Sequence, residues 1–332
     1  MIISRTPYRI SFFGGGTDYP VWYKEHGGNV LATTINKYSY ITCRYLPPFF
    51  EHKYRIVYSK NELTQTISEI QHPSVRATLG YMGIDKGVEI HHDGDLPARS
   101  GLGSSSSFTV GLVHALYAQK GTMVTKRQLA LDAIHIEQDL LKENVGAQDQ
   151  TSAAFGGFNK IEFGGDNQIQ VQPITLNQKK CHLLQDNLML FFTGFSRFAS
   201  EIAKEQINKT ADKQKELHAM HQMVDAAIEI LNGGDMDITD FGRLLHESWT
   251  IKRSLTDKIS TLQIDKIYND ALDAGALGGK LLGAGGGGFM LFFVEPEKQP
   301  AVKKRLQGLL HVPFKFDTTG SQIIYYASED TF

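Results

Sequence analysis

The sequence predicts an α+β protein built on largely antiparallel sheets. Three observations lead there. Alternating apolar and polar residues mark short strands across the first half of the chain. Apolar residues at helical spacing mark long helices, most of them in the second half. These patterns come as mixed runs rather than a regular strand–helix repeat, which disfavours a parallel, doubly wound sheet. With 332 residues, 41% of them apolar and 21% charged, the chain has room for two domains with cores of their own.

In order, strands are expected at residues 8–13, 29–34, 38–45, 54–57 and 88–92. Helices follow at 105–119 and 126–142, the second with Thr125 as a fitting N-cap. A strand at 157–163 then runs into the polar turn Gly164-Gly165-Asp166-Asn167. The second half opens with a buried-looking strand at 188–193 and a long helix at 199–231, closed by Gly233-Gly234. A helix at 238–254 carries Phe241, Leu244, Leu245 and Trp249 on one stripe, and another covers 264–274. A glycine loop at 283–288 leads into a strand at 289–294, followed by a helix at 299–310 and two short strands. The polar stretch 165–187, which holds Pro173, divides the chain into residues 1–180 and 181–332.

Several classes of function are disfavoured. A net charge of -2 gives no basic footprint for nucleic acid. No run reaches the roughly 20 apolar residues needed to cross a bilayer, and the N-terminal stretch lacks an apolar signal segment. Two cysteines, Cys43 and Cys181, form no disulfide framework, so a reduced, cytoplasmic setting is expected. His91 and His92 lie on opposite strand faces, and His218 and His221 sit on a polar helix, so a zinc site is not expected.

The segment Asp95-Leu96-Pro97-Ala98-Arg99-Ser100-Gly101-Leu102-Gly103-Ser104-Ser105-Ser106-Ser107 stands between a strand and a helix. A glycine turn at a helix start offers open backbone N–H groups and the positive helix end to an anion, and serines add donors. It is not a Walker loop, because no Gly-Lys-Ser/Thr follows, and it lacks the third glycine of a dinucleotide fingerprint. A flexible Gly-Ser linker would look similar from this stretch alone.

Other groups stand out. In Pro7-Tyr8-Arg9-Ile10-Ser11-Phe12-Phe13-Gly14-Gly15-Gly16-Thr17-Asp18-Tyr19 a strand with an arginine meets three glycines and a carboxylate. That is either a plain turn or a backbone pressed against a ligand whose hydroxyls Asp18 receives. Glu137 lies on the apolar stripe of Ala130, Ala133, Ile134, Leu140 and Leu141. It either reaches solvent at the stripe edge or is paired with a cation. Asp149, after Gly146, is either an N-cap or a carboxylate that orients an attacking hydroxyl. The run Lys280-Leu281-Leu282-Gly283-Ala284-Gly285-Gly286-Gly287-Gly288 spends chain entropy in a way that suggests close packing on a ligand or another loop.

Together these segments resemble the GHMP kinases, the family of galactokinase, homoserine kinase and mevalonate kinase. Residues 7–19, 96–107 and 280–288 resemble its three motifs in order, so the likeness spans nearly the whole chain. The resemblance implies a domain like the second domain of ribosomal protein S5 followed by a ferredoxin-like domain, with ATP between them. It gives nucleotide binding to Pro97, Arg99, Ser100, Gly101, Leu102, Gly103, Ser104, Ser105 and Ser106. It gives Mg²⁺ binding to Ser105 and Glu137, and catalysis to Asp149 and Arg9. Acceptor binding falls to Gly14, Gly15, Gly16, Thr17, Asp18, Gly285 and Gly286.

Galactokinases carry Glu-His where this chain has Gly15 and Gly16. The Gly-Gly-Gly-Thr-Asp form is similar to that of the heptose 7-phosphate kinases, and fucokinases have a related form. The implied reaction is transfer of the ATP γ-phosphoryl group to the C1 hydroxyl of a sugar phosphate. Lys24, His26, Lys37, Arg99 and Arg197 are candidates for the acceptor's own phosphate. The alternatives are another sugar-1-kinase and a silent sugar and ATP sensor on the same fold.

Overall fold

Two long strands organise the first half. β1 (Ile2–Phe13) and β2 (Gly28–Tyr45) pair antiparallel, joined by the glycine turn and α1 (Pro20–His26), whose proline suits a helix start. The strands expected at 29–34 and 38–45 are one continuous element. The interruption between them is absorbed by a register shift opposite Pro7 and Tyr8, where proline has no N–H to give the ladder. In the computed structural model residues 1–332 are described except 99, 165–167, 195–198, 235 and 328–332. The expected turn at 164–167 therefore falls mostly outside the described residues.

The first half continues with β3 (Tyr54–Val57), β4 (Asn61–Thr64), α2 (Pro73–Tyr81), β5 (Val88–Gly94) and α3 (Ser104–Gln119). After them come α4 (Lys126–His135), α5 (Gln148–Phe155), β6 (Phe158–Phe163) and β7 (Ile169–Pro173). The second half holds α6 (Gln178–Asp186), β8 (Leu188–Phe192), α7 (Ala199–Lys209), α8 (Gln214–Asn232), α9 (Thr239–Ser254) and α10 (Leu262–Asp273). It ends with β9 (Gly278–Leu281), β10 (Phe289–Phe293), α11 (Gln299–Arg305), β11 (Leu310–His311), β12 (Phe316–Asp317) and β13 (Gln322–Tyr326).

A nine-stranded sheet runs β13-β1-β2-β5-β3-β4, with β6 and β12 also on β2 and β7 on β6. Among the described residues its pairs are antiparallel except β3 with β5. Apolar side chains of α2 to α5 pack on it around Ile41, Ile56, Leu79, Leu112 and Ala133. The second sheet, β11-β8-β10-β9, is antiparallel throughout. β10 is buried on both faces. Phe289, Leu291 and Phe293 join Tyr8, Ile10 and Phe12 of β1 in a core shared by the two halves. Met290 and Phe292 alternate to the other side, against Trp249 and Tyr268. At about 1.5–3 kcal/mol for each large apolar side chain removed from water, this seam holds the halves in fixed relation.

Three expectations are corrected. The helix expected at 126–142 is regular only to His135; Ile136–Leu140 form a π turn, with Leu141 N–H bonded five residues back to Ile136. The long helix at 199–231 is α7 and α8, separated by a 3-10 turn at Thr210–Lys213. A cut at residue 180 does not cleanly separate the sheets, because β12 and β13 return to pair with β2 and β1 of the first.

Candidate active site

β5 delivers the chain into the glycine turn, and α3 begins at Ser104 with Gly103 as N-cap in the left-handed conformation, φ 73°. No side chain caps that end, so the first turn directs its N–H groups toward an incoming anion. Below the turn, Leu102 is fully buried and α3 is apolar nearly all round, which fixes the helix on β1 and β2. The second glycine loop closes over the first. A Cβ on Gly101 would stand 2.4 Å from the Leu282 carbonyl, and one on Gly283 would stand 2.6 Å from Gly101 Cα. Phe289 N–H donates to the Ser100 carbonyl at 3.1 Å. The glycines thus let two backbones touch. Gly285 and Gly286 depart from the expected acceptor role: Gly286 N–H donates to the Ile259 carbonyl at 2.9 Å, and Gly285 packs on the same residue. Pro97 is exposed, Ser100 is buried, and Arg99 lies outside the described residues.

Beside the first loop sits an ion pair. Arg9, 3% exposed on β1, donates through Nε to Asp149 Oδ1 at 2.7 Å, with Nη2 at 2.6 Å from the same oxygen. Its Nη1 donates to the Gly101 carbonyl at 2.8 Å. One side chain therefore fixes both a carboxylate and the first glycine loop, as the planar guanidinium fork allows. Asp149 is in the first turn of α5, whose N-cap is Ala147, so the capping alternative drops out. Its side chain keeps 26% exposure.

Asp18 is 2% exposed; its carboxylate accepts from Gly16 N–H at 2.9 Å and from Gln148 N–H at 3.4 Å. Burial pushes its pKa up, the Asp149 charge adds to that, and the backbone donors oppose it. Thr17 is corrected from a binding to a structural residue. Its buried hydroxyl donates to the Gly14 and Asn29 carbonyls and accepts from Asn29 N–H, which shapes the loop.

Glu137 is fully buried in the π turn. Its Oε2 accepts from Ser106 Oγ at 2.8 Å and from Gln150 Nε2, the Thr109 hydroxyl also favours the charged carboxylate, and Oε1 is buried with no hydrogen-bond partner at bonding distance among the described residues. Burial pushes its pKa up to about 7. The expected pairing with Ser105 is corrected: Ser105 is exposed, and Ser106, one helical step on, faces Glu137. A buried carboxylate with one open oxygen beside a hydroxyl suits a hard cation such as Mg²⁺, which takes few protein ligands and shares phosphate oxygens. Among the described residues no group of three or more His, Cys, Asp or Glu gathers as a metal site of its own.

Two lysines near the Arg9–Asp149 pair had no role in the sequence reading, Lys280 standing there only as the head of the second glycine run. Lys280, 2% exposed on β9, donates to the Phe12 carbonyl of β1 at 2.6 Å. Lys252, 6% exposed on α9, donates to the Gly283 carbonyl. Burial and the neighbouring Arg9 lower both pKa values, with Lys252 adding to the effect on Lys280. Lys252 falls to about 8, with Asp18 and Asp149 pulling the other way. Its spacing from Leu245 and Trp249 put it on the apolar stripe of its helix, the same signal that marked Glu137. Lys24, His26 and Lys37 make no described hydrogen bond to this cluster; His26 lies against Trp22 instead, with ring centroids 4.2 Å apart and the planes tilted by 41°. Arg197 lies outside the described residues.

A carboxylate clamped by arginine at the mouth of an anion-receiving helix start suits phosphoryl transfer from a nucleotide to a hydroxyl. Known proteins agree with that class. Residues 61–157 match the model of the GHMP kinases N terminal domain, and residues 223–311 that of the GHMP kinases C terminal domain. A D-glycero-alpha-D-manno-heptose 7-phosphate kinase of Campylobacter jejuni is 31% identical over 92% of this chain and 93% of its own. A galactokinase of Pyrococcus furiosus is 25% identical over 91% of both. The crystal structure of a D-glycero-D-manno-heptose 1-phosphate kinase from Bacteroides thetaiotaomicron superposes with a TM-score of 0.78 at 25% identity, covering 99% of this chain and 100% of that one. The chain belongs to the GHMP kinase family. It is a phosphotransferase with an alcohol group as acceptor, in a family that uses ATP as phosphate donor. Among the described residues no helix is long and apolar enough to cross a membrane.

Proposed function

We propose that this kinase transfers the γ-phosphoryl group of ATP to the C1 hydroxyl of D-glycero-D-manno-heptose 7-phosphate. The observation that carries the reaction is the Arg9–Asp149 pair bonded to the Gly101 carbonyl of the phosphate loop. The acceptor is supported by the Campylobacter jejuni relative and by the Gly14-Gly15-Gly16-Thr17-Asp18 loop.

The N–H groups at the start of α3 hold the nucleotide phosphates. The acceptor oxygen bonds to the γ-phosphorus as the bond to the β-phosphate oxygen breaks, and ADP leaves. Asp149 orients the hydroxyl and takes its proton. Arg9 fixes the carboxylate, and with Lys252 it supplies positive charge where negative charge is transferred. Glu137 and Ser106 would hold Mg²⁺, which when bound would neutralise phosphate charge.

A panel of sugars with and without phosphates, assayed for ADP release, tests this reading. Heptose 7-phosphate should give turnover dependent on Mg²⁺ and a product phosphorylated at C1. Turnover confined to unphosphorylated sugars would instead favour a fucokinase-like or other sugar-1-kinase. Turnover of a heptose 1-phosphate, the substrate in the name of the Bacteroides structure, would move the reacting hydroxyl away from C1. No ADP from any sugar would leave a silent sensor.

A further inference from the structure

Glu137 is fully buried, yet the donors described around its carboxylate are all neutral. Ser106 donates through its hydroxyl and Gln150 through its amide, and the Thr109 hydroxyl also favours the charged form. Glu143 adds a second negative charge to the neighbourhood. A buried carboxylate is costly unless a cation pairs with it. Neutral donors hold this one in place without cancelling its charge, which stays available to an ion.

Gln150 is the donor of this set that has no role so far. It is fully buried on α5, next to Asp149. Successive helical residues point roughly 100° apart, so Asp149 reaches Arg9 while Gln150 turns to Glu137. With Glu137 ionised, the amide faces it through nitrogen. That leaves Gln150 Oε1 buried, with no hydrogen-bond partner among the described residues, and Glu137 Oε1 is in the same condition. Ser106 and Gln150 both bond to Oε2, so the carboxylate is held by one oxygen and open at the other. Two buried, unpartnered oxygens on bonded side chains are costly in a native fold unless a ligand completes them. Mg²⁺ meets both needs, because it binds a carboxylate oxygen and keeps waters whose hydrogens want acceptors.

We propose that Gln150 is a positioning residue for the cation: its N–H fixes Glu137 with Oε1 free for the ion, and its own Oε1 serves water that the ion carries. This rests on the reading of Glu137 as a Mg²⁺ ligand. An amide can do this where a lysine could not, since an ammonium at position 150 would pair with Glu137 and take the place of the metal. Consecutive residues of α5 thereby serve the two carboxylates of the site, Asp149 as one of them and Gln150 as the support of the other.

The test compares wild type, Gln150→Met, Gln150→Lys and Glu137→Gln by uptake of Mn²⁺ into the enzyme–ADP complex, read as loss of the free-ion EPR signal. Gln150→Met should weaken the Mn²⁺ Kd about tenfold or more, while metal-free ADP affinity stays within about threefold. Gln150→Lys should fold and lose Mn²⁺ uptake. In turnover, excess Mg²⁺ should bring the kcat of Gln150→Met to within about twofold of wild type, because Asp149 is untouched. An unchanged Mn²⁺ Kd in Gln150→Met, or a kcat that excess Mg²⁺ does not restore, would overturn the positioning role. Should Gln150→Met not fold, Gln150→Lys decides, and retained uptake there overturns it. Undiminished uptake in Glu137→Gln would instead overturn Glu137 as a metal ligand, and this inference with it.

Discussion

Replacing Lys252 by methionine should make the protein more stable and a poorer catalyst. The side chain is 6% exposed, and its described hydrogen bond is to the Gly283 carbonyl, a neutral partner. Its surroundings hold Arg9 and Lys280, which repel it, and Asp18 and Asp149, which attract it. The balance lowers its pKa from the ordinary 10.5 to about 8. At about 1.4 kcal/mol per tenfold change, keeping the ammonium charged at pH 7 costs the fold about 3 kcal/mol.

The sign follows from proton counting. Between pH 8 and 10.5 the unfolded chain keeps the proton that the native state loses, so wild-type stability rises with pH across that window and the penalty is complete below it. Lys252→Met removes the penalty but leaves the Gly283 carbonyl unbonded, which returns about 1 kcal/mol. A net gain of about 2 kcal/mol spread over 332 residues corresponds to roughly 3 °C in Tm at pH 7. The advantage should shrink between pH 8 and 9.5, and kcat should fall at least about tenfold. Thermal unfolding of both proteins across that pH range, paired with ADP-release kinetics, makes the measurement. A variant less stable than wild type at pH 7, or a gap independent of pH, would refute the electrostatic reasoning.

Other expectations concern the chemistry itself. Asp149→Asn should lower kcat by about 100-fold or more while ATP affinity, measured by calorimetry, stays within a few fold. With Glu137 raised to about 7, protons should compete with Mg²⁺, so apparent metal affinity should weaken about tenfold per pH step below that value. Mg²⁺ titrations at pH 6 and 8 check this, and Glu137→Gln should abolish the pH dependence along with most turnover.

The strands and the glycine loop before α3 were legible because their signals are local: alternation for β1 and β5, a short apolar run for β10, and a glycine turn before an apolar helix for α3. Glu137 was legible as a carboxylate on an apolar stripe. Its π turn was not, because nothing in Ile136 to Leu140 departs from helical composition; the wider turn appears only once Glu137 meets Ser106 and Gln150. The serine register failed for a similar reason. Four equal residues carry no phase, and the phase is set by where Gly103 starts the helix. Lys252 and Lys280 were given no role because lysines are usually solvated, and their partners are distant in sequence, the 283–288 glycine loop for Lys252 and β1 for Lys280.

The return of β13 to β1 bears on when the enzyme becomes complete. β1 carries Arg9 and Ser11 and lies between β2 and β13, with Ile2 opposite Tyr326. As the chain is made, the Ile2–Arg5 edge of this central strand stays open until β13 has been synthesised. Contacts of such long sequence separation form slowly, and an unpaired strand edge invites association with other chains. The strand that carries Arg9 is therefore made well before the strand that closes its Ile2–Arg5 edge, so the order of synthesis runs against the order in which the sheet is completed.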